Sequence, residues 1–323
     1  MSTFSTSAVP QVICLGETMI LLTPPDSTSL RTTSSVGLHS GGAESNLAMN
    51  LAVSGIPVAW ASRVGADPLG DRIIDVVGDH GVDTRWVERD PSAPTGVYFK
   101  DPGELASTVY YYRRGSAASR MTPAFLDRLP LAGIKLLHLS GITPGLSAGC
   151  RDLVAAAIKK MRDLPGLVSF DVNYRAGVWG VDEAAPVIAE LAAGADIVLV
   201  GRDEAELLWD TPTPAAIRAK FCQVPVLVVK DGAVGASEFV GTDVTFVPAP
   251  PVRVVEPVGA GDAFGAGYLA GSLDGLPAEQ RLLRGHRLAA IALTHTADVA
   301  DAALIAALLN EAGQRDADRQ GGS

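Results

Sequence analysis

The segment with the clearest chemical potential lies at positions 252–271, which read VRVVEPVGAGDAFGAGYLAG. A β-branched stretch leads into Gly259, Ala260 and Gly261, and the apolar periodicity beyond them predicts a helix. Glycines at such a turn permit positive φ angles and let a ligand approach the backbone closely. We therefore expect the N–H groups of these three residues to form an anion site at a helix N-terminus.

Asp262 falls in the first turn of that helix, beside the expected anion site. Its carboxylate could accept the proton of an alcohol while the backbone stabilises charge on a transferring phosphoryl group. An acidic residue there also favours the helix dipole, so a purely structural role stays open. The GxGxxxG spacing would also fit a dinucleotide loop, although helices rather than βαβ units follow it. The chain has no GxxxxGK[ST] segment, which excludes a Walker-type kinase.

The composition narrows the range of partners. The 323 residues carry 26 Lys+Arg and 36 Asp+Glu, a formal net charge of −10. A chain this acidic has no general attraction for nucleic acid or anionic lipid, so we expect neither as a partner. The first ten residues lack the features of a signal peptide, and no apolar run approaches the roughly 20 residues of a membrane span. We therefore expect a cytoplasmic protein.

Short apolar runs alternate with amphipathic stretches along most of the chain. The runs predict strands at 12–16, 57–62, 134–140, 166–171, 196–200 and 225–230. The stretches predict helices at 43–54, 69–80, 147–162, 182–193, 204–210, 261–272, 278–295 and 298–312. This order predicts an α/β fold with a parallel sheet covered on both faces.

Two stretches break this order, at 18–39 and 95–114, where β-rich segments have no helix between them. The segments TGVYFKD and STVYYYRR predict two strands of a hairpin. We expect these stretches to form a small separate sheet that projects from the main layer.

The segment GAGDAFGAGYLAG resembles the C-terminal signature of the PfkB, or ribokinase-like, carbohydrate kinases. GGAESNLAMNLAVSG at 41–55 resembles the family's N-terminal signature, and SRVGADPLGDRI at 62–73 resembles a further family turn. The resemblance implies a ribokinase-like, doubly wound, mainly parallel sheet with helices on both faces and a small β-sheet lid. It implies one kinase domain at 12–312, its lid from about 17–39 and 95–115, with flexible termini at 1–10 and 316–323.

The resemblance also implies roles for the two glycine-rich signatures. Asp262 would be the general base of an ATP-dependent sugar kinase, and Gly259–Gly261 would be its anion hole. Gly41, Gly42 and Asn46 would meet the sugar, since glycines allow close approach and an asparagine both donates and accepts hydrogen bonds. A capped helix start would explain the same Gly-Gly pair.

Two further segments resemble parts of the family's nucleotide site. VVKDGAVGA at 228–236 implies that Lys230, Gly232 and Gly235 border the ATP phosphates. VLVGRDEAELL at 198–208 resembles the family's NxxE segment and implies that Glu204 orders Mg²⁺, through water. The asparagine position of that segment is Gly201, and its acidic residues would equally suit a helix N-terminus. EPVGAGD departs from the usual DTTGAGD, which leaves any requirement for a monovalent cation open.

Two segments bear on the choice of sugar. YYYRRGSAAS at 110–119 and FDVNYRAGVW at 170–179 resemble segments of 2-keto-3-deoxygluconate kinases. They imply that Tyr98, Tyr111, Arg113 and Arg175 meet a sugar acid, whose carboxylate suits the arginine fork. Strand alternation separates Tyr111 and Arg113 from the flanking tyrosines, although a solvated lid strand would show the same pattern.

Three alternatives remain after this reading: a kinase of a neutral sugar such as fructose or ribose, a non-catalytic sugar-binding protein, and a dinucleotide-dependent oxidoreductase. The intact GAGD turn favours a kinase over the second of these. The outer face of the lid sheet would need a cover, which predicts a homodimer or a larger homo-oligomer.

Overall fold

The structure is a computed structural model that describes residues 9–25, 28–103, 107–255 and 258–294. Within these ranges the chain forms a large sheet covered by helices and a second, smaller sheet. The strands are β1 (Val12–Leu15), β2 (Met19–Thr23), β3 (Gly37–Gly41), β4 (Val58–Gly65), β5 (Val87–Asp90), β6 (Val97–Asp101), β7 (Thr108–Tyr112), β8 (Leu136–Ser140), β9 (Leu167–Asp171), β10 (Ile197–Gly201), β11 (Val226–Asp231), β12 (Gly235–Val240) and β13 (Asp243–Pro248). The helices are α1 (Ala43–Val53), α2 (Pro68–Asp79), α3 (Ala148–Met161), α4 (Val181–Ala193), α5 (Arg202–Trp209), α6 (Pro214–Lys220), α7 (Ala260–Leu273) and α8 (Ala278–Thr294).

The large sheet has the strand order β13-β12-β11-β10-β9-β8-β1-β4-β5. All neighbouring strands from β11 to β5 run parallel, whereas β12 and β13 extend the sheet antiparallel at one edge. The expectation of a mainly parallel sheet is therefore confirmed. The antiparallel edge, β5 and α6 were not predicted from the sequence.

Two hydrophobic cores lie on the two faces of this sheet. In β10, Val198 and Val200 face the core built with α3 to α6, while Ile197 and Leu199 face the core built with α1, α2, α7 and α8. Successive strand residues point to opposite faces, so burial on both faces requires an uninterrupted apolar run. This explains why the predicted strands read as apolar runs and confirms the helices on both faces.

The smaller sheet has the order β3-β2-β6-β7 and forms the lid. Its β6 and β7 pair antiparallel, so the predicted hairpin is confirmed. Tyr110 and Tyr112 lie on the outer face, with 48% and 65% of their surface exposed. Tyr111, between them, lines the cleft under the lid. The alternation predicted for this strand is therefore correct.

Asp67 connects the lid to the main sheet. Its Oδ1 accepts hydrogen bonds from the N–H groups of Leu69 and Gly70, which caps the N-terminus of α2. The same carboxylate accepts bonds from the backbone N–H and the hydroxyl of Thr95, both at 2.9 Å. Thr95 precedes the lid strand β6, so one carboxylate fixes both the start of a core helix and the position where the chain enters the lid.

The glycines of α7 allow it to pack closely against its neighbour. A Cβ at Gly267 would lie 2.6 Å from the carbonyl oxygen of Arg284 in α8, a distance that real side chains do not adopt. The middle of α7 therefore packs directly against the backbone of α8. The predicted helix at 298–312 and both predicted flexible termini lie outside the described residues, apart from residues 9 and 10. Among the described helices, none has the length and apolar character needed to cross a bilayer.

Candidate active site

A cleft of about 1840 Å³ lies between the lid and the carboxyl ends of the strands of the large sheet. Ligands of open α/β sheets bind in this position. The structure brings together in this cleft all of the residues singled out from the sequence: Gly41, Gly42, Asn46, Tyr98, Tyr111, Arg113, Arg175, Glu204, Lys230, Gly232, Gly235, Gly259, Ala260, Gly261 and Asp262.

The glycine turn begins α7 as expected. Gly259 is the N-cap residue and has a φ of 80°, a left-handed conformation that glycine adopts without strain. The first N–H groups of a helix have no acceptor within the helix, and here they belong to residues that line the cleft. The turn therefore offers backbone donors and the positive end of the helix dipole to an anion.

Asp262 follows this turn and is held by two amides. Its Oδ2 accepts a hydrogen bond of 3.0 Å from Nδ2 of Asn46, and its Oδ1 accepts one of 3.4 Å from Nδ2 of Asn173. The carbonyl oxygens of both amides are buried and have no hydrogen-bond partner among the described residues. Buried polar atoms are nearly always paired, so these two acceptors point to a ligand that donates hydrogen bonds, such as a polyol.

The surroundings of Asp262 make it a suitable base near neutral pH. Burial of the carboxyl disfavours its charged form and raises its pKa to about 7. The hydrogen bond from Asn46 lowers the pKa, the nearby Asp171 carboxylate raises it, and Arg175 and Lys230 lower it. A base whose pKa lies near the working pH combines a useful deprotonated fraction with an adequate affinity for protons.

Lys230 makes a largely buried ion pair that the sequence analysis missed. Its Nζ lies 3.0 Å from Oδ1 and 2.8 Å from Oδ2 of Asp171, at the end of β9. Burial alone would lower the pKa of Lys230, but the carboxylates of Asp171 and Glu204 outweigh this effect and raise it. The ammonium is thus kept charged beside the glycine turn, where a Cβ at Gly261 would be 3.8 Å from Nζ.

Asp171 and Asn173 were assigned no role from the sequence. In the structure Asp171 contacts Lys230, and Asn173 contacts Asp262. The sequence contained a signal for both residues, because Asp171 ends a buried parallel strand and Asn173 follows it, at the carboxyl end where ligands bind. Asn173 carries a second signal in its backbone, since its φ of 34° is rare for a residue other than glycine.

Glu204 lies in the first turn of α5, where one carboxylate oxygen caps the helix and the other faces the cleft. Its Oε2 accepts a hydrogen bond of 2.9 Å from the N–H of Gly201, which caps the helix. Its Oε1 lies 3.8 Å from Nη1 of Arg175 and faces the cleft. Burial raises the pKa of Glu204, while the positive charge of Lys230 lowers it. The structural role considered for Glu204 is therefore real, and one carboxylate oxygen remains directed at the cleft.

The lid end of the cleft is aromatic and basic. Tyr98 and Tyr111 stack with ring centroids 5.8 Å apart, and the Arg113 guanidinium lies 5.6 Å from the centre of the Tyr111 ring. A Cβ at Gly41 would lie 2.1 Å from the Tyr98 hydroxyl, so a larger residue there would displace this hydroxyl from its present position.

The two arginines of the cleft differ in how fully they are neutralised. Arg113 binds the buried carboxylate of Glu17 through Nε, at 2.7 Å, and through Nη2. Arg175 is half exposed, and its contact to Glu204 is 3.8 Å long. Arg175 therefore presents the less compensated positive charge, while Glu17, which the sequence analysis did not single out, fixes the direction of Arg113.

The nine-stranded α/β sheet, the separate lid and a cleft that ends at a glycine-capped helix define a sugar kinase of the ribokinase-like type. A family model described as pfkB family carbohydrate kinase matches residues 9–304, and the chain belongs to this family. Glu256 and Pro257, which depart from the usual family turn, lie outside the described residues.

Individual relatives agree with this assignment. A 2-dehydro-3-deoxygluconokinase of Bacillus subtilis (strain 168) is 35% identical over 294 residues, which cover 89% of this chain and 90% of the relative. A 2-dehydro-3-deoxygalactonokinase of Haloferax volcanii is 30% identical and covers 90% of this chain and 93% of the relative. The crystal structure of a PfkB protein from Polaromonas sp. JS666 superimposes with a TM-score of 0.82 at 33% identity, covering 88% of this chain and 96% of that chain.

Proposed function

We propose that this enzyme transfers the γ-phosphate of ATP to the terminal hydroxyl of a 2-keto-3-deoxy sugar acid, 2-keto-3-deoxygluconate in the first place. The observation that carries the proposal is the position of Asp262, a carboxylate with a pKa of about 7 directly beside the helix N-terminus of Gly259–Gly261. A base and an anion site that adjoin each other are what the transfer of a phosphoryl group to an alcohol requires.

The reaction follows from this arrangement. Asp262 removes the proton of the sugar hydroxyl, whose oxygen attacks the γ-phosphorus in line. The bond between the γ-phosphorus and the bridging oxygen breaks, and ADP leaves. The N–H groups of Gly259, Ala260 and Gly261 stabilise the charge on the transferring group, and Asn46 and Asn173 hold the base in place.

The nucleotide occupies the end of the cleft away from the lid. Ala289, Ala290 and Leu293 of α8 and Val252 line an apolar end that suits the adenine ring. Lys230 lies next to the glycine turn and would meet the phosphates, with Gly232 and Gly235 on the adjoining hairpin.

The oxygen donors at this end of the cleft are of the kind that Mg²⁺ prefers. Glu204 directs one carboxylate oxygen at the cleft, and Mg²⁺ commonly binds through one or two carboxylates, water and phosphate oxygens. Bound with ATP, the ion would neutralise charge on the β- and γ-phosphates. Glu204 would hold it, through water.

The sugar acid lies under the lid in this proposal. Tyr98 and Tyr111 offer hydroxyl groups to sugar oxygens, and Gly41 and Gly42 let the sugar approach the backbone. Arg175 and the free edge of Arg113 bind the carboxylate. The relatives named for the gluconate and galactonate epimers support a keto acid as the acceptor.

A neutral sugar such as fructose or ribose is the second candidate acceptor. The specific observation in its favour is the Glu17–Arg113 pair, which balances one of the two positive charges within the protein itself. A neutral ligand would then meet a site with little net charge at its lid end.

An ADP-release assay with ATP and Mg²⁺ separates these candidates. The acceptors are 2-keto-3-deoxygluconate, its galactonate epimer, fructose, ribose and adenosine. We expect selective turnover of the keto acids. Efficient turnover of fructose or ribose alone would establish the second candidate, and ADP release that no acceptor stimulates would contradict both. Mixing with NADH gives the control for an oxidoreductase, and we expect no change in NADH fluorescence.

We also propose that the enzyme is a homodimer or a larger homo-oligomer in which the lid sheets pack together. The outer lid face exposes Leu38, Tyr110 and Tyr112, an apolar set that a second copy would cover. Light scattering should give a mass of at least twice 33.4 kDa. A monomeric mass at working concentration would remove this proposal.

A further inference from the structure

The ion pair between Asp171 and Lys230 crosses the large sheet below the cleft. Asp171 ends β9 and Lys230 lies in β11, so the lysine side chain reaches over the intervening strand β10. Only 3% of the Asp171 side chain and 18% of the Lys230 side chain are exposed. Buried ion pairs add little net stability, because desolvation of the charges offsets their attraction. Net stability is therefore a weak explanation for the pair.

Three carboxylates lie close enough to attract the ammonium group of Lys230. It contacts Asp171 directly, and Glu204 and Asp262 also attract it. Bonds to both oxygens of Asp171 aim the ammonium, and the third N–H remains available to a ligand in the cleft that Lys230 lines. Paired with Asp262 instead, the ammonium would hold the base in its charged form and occupy the oxygen that must receive a proton.

We propose that Asp171 is a positioning residue, which fixes Lys230 beside the glycine turn and keeps its ammonium off Asp262 and Glu204. The inference rests on the proposed function, in which Lys230 meets the phosphates of ATP. Asp171 is not among the cleft-lining residues of the described chain, so it acts through Lys230 and not on a substrate.

The Asp171→Asn variant should therefore harm phosphoryl transfer more than sugar binding. The amide keeps the size of the side chain but removes its charge, so Lys230 turns to the remaining carboxylates. We expect kcat to fall about tenfold or more, as for other directly coupled charges. The dissociation constant of the sugar, measured by titration calorimetry without nucleotide, should stay within about twofold of wild type.

A double-mutant cycle separates positioning from a direct or a general structural role. The set is wild type, Asp171→Asn, Lys230→Met and the double variant, each with kcat and the KM for ATP. If Asp171 acts through Lys230, Asp171→Asn has no further effect on kcat in the Lys230→Met background. The kcat values are compared on the high-pH plateau, because the Asp171 carboxylate also raises the pKa of Asp262 directly. The double variant also avoids a buried unpaired charge, so it tests the inference even if Asp171→Asn folds poorly.

Asp196→Asn is the matched control. Asp196 is a partly buried carboxylate just before β10 whose Oδ2 accepts a hydrogen bond from the N–H of Val168, far from the cleft lining. It should leave kcat unchanged. Equal slowing by Asp171→Asn in both backgrounds, or no slowing in either, would overturn the inference. The cycle is run with whichever acceptor the wild-type enzyme phosphorylates. If the sugar acid is not the acceptor, the assay of the wild-type enzyme shows this, and the double-mutant cycle still tests the role of Asp171.

Discussion

The amide of Asn46 donates a 3.0 Å hydrogen bond to the carboxylate of Asp262, although 216 residues separate the two along the chain. Asn46 lies in the first turn of α1 and Asp262 in the first turn of α7, and these helices pack together where a Cβ at Gly265 would lie 3.1 Å from Leu47. The two glycine-rich segments of the sequence thus meet at their helix N-termini. Each supplies one half of a single site.

Replacement of Asp262 tests its role as the base. Asp262→Asn keeps the contact to Asn46 but cannot accept a proton, so we expect kcat to fall by about 10²–10⁴-fold. Sugar binding, measured by calorimetry, should remain. Asp274→Asn is the control, since Asp274 ends the same helix and pairs with Arg284 away from the cleft. An Asp262→Asn enzyme with wild-type kcat would contradict the assignment.

The rate should depend on pH through the same carboxyl. Asp262 must be deprotonated to act, and burial raises its pKa to about 7. We expect kcat/KM for the sugar to rise with pH up to about 7 and to level off above it. A profile measured with the nucleotide saturating should show one such limb. A rate that is constant from pH 5 to 8 would exclude Asp262 as the titrating base.

The raised pKa of Asp262 also links stability to pH. The folded state holds this proton more tightly than the unfolded chain, whose Asp pKa is about 3.9. The stability due to this group is therefore complete below about pH 4 and is lost as the pH rises through about 7. Urea unfolding should show that Asp262→Asn becomes progressively more stable than wild type from pH 5 to 8. The reverse trend would contradict a raised pKa.

Loss of the Asn46 amide should move the pH profile. The hydrogen bond from Asn46 lowers the pKa of Asp262, so Asn46→Ala should shift the rising limb of kcat/KM to higher pH. Asn50→Ala is the matched control, because Asn50 is a buried amide one turn further along α1 whose Nδ2 donates to the backbone carbonyl of Asn46. A limb that stays in place in Asn46→Ala would show that the amide does not tune the base.

Replacement of the cleft arginines should weaken the binding of a sugar acid more than that of a neutral sugar. Arg175→Met should raise the KM for the sugar acid by about tenfold or more, as expected for a charged hydrogen bond, and leave a neutral sugar unaffected. Arg113 is better tested as Arg113→Met with Glu17→Gln, since either change alone leaves a buried charge unpaired. Arg114→Met is the control, because Arg114 is the next residue along the chain and lies exposed in the turn after β7. Equal losses for acidic and neutral acceptors would argue against a carboxylate clamp.

The sequence predicted the elements that carry a periodic signal and the β6–β7 hairpin, but not the order of the strands in the large sheet. β10 and β11 were evident as apolar runs, and α1 and α7 as periodic helices after glycines. β12 and β13 were missed because they lie at the sheet edge, where Val240, Val244 and Phe246 are exposed and the apolar pattern is broken.

The ion pairs of the site could not be predicted from the sequence, because they depend on the order of the strands in the sheets. Lys230 reaches Asp171 because the sheet order places β9 and β11 on either side of β10, and periodicity does not determine sheet order. Glu17 and Arg113 likewise meet only when β6 and β7 pair beside β2. The type of each residue suggested a role, but its partner came from the topology.

The most direct test of the proposed reaction is ³¹P NMR of a mixture of the enzyme, ATP, Mg²⁺ and 2-keto-3-deoxygluconate. We predict a new phosphate monoester signal, split into a triplet by the two protons of the terminal CH₂ group, that appears as the γ-phosphate signal disappears and is absent with Asp262→Asn. Inorganic phosphate in place of the ester, or an ester that forms equally fast with Asp262→Asn, would contradict phosphoryl transfer to that hydroxyl with Asp262 as the base.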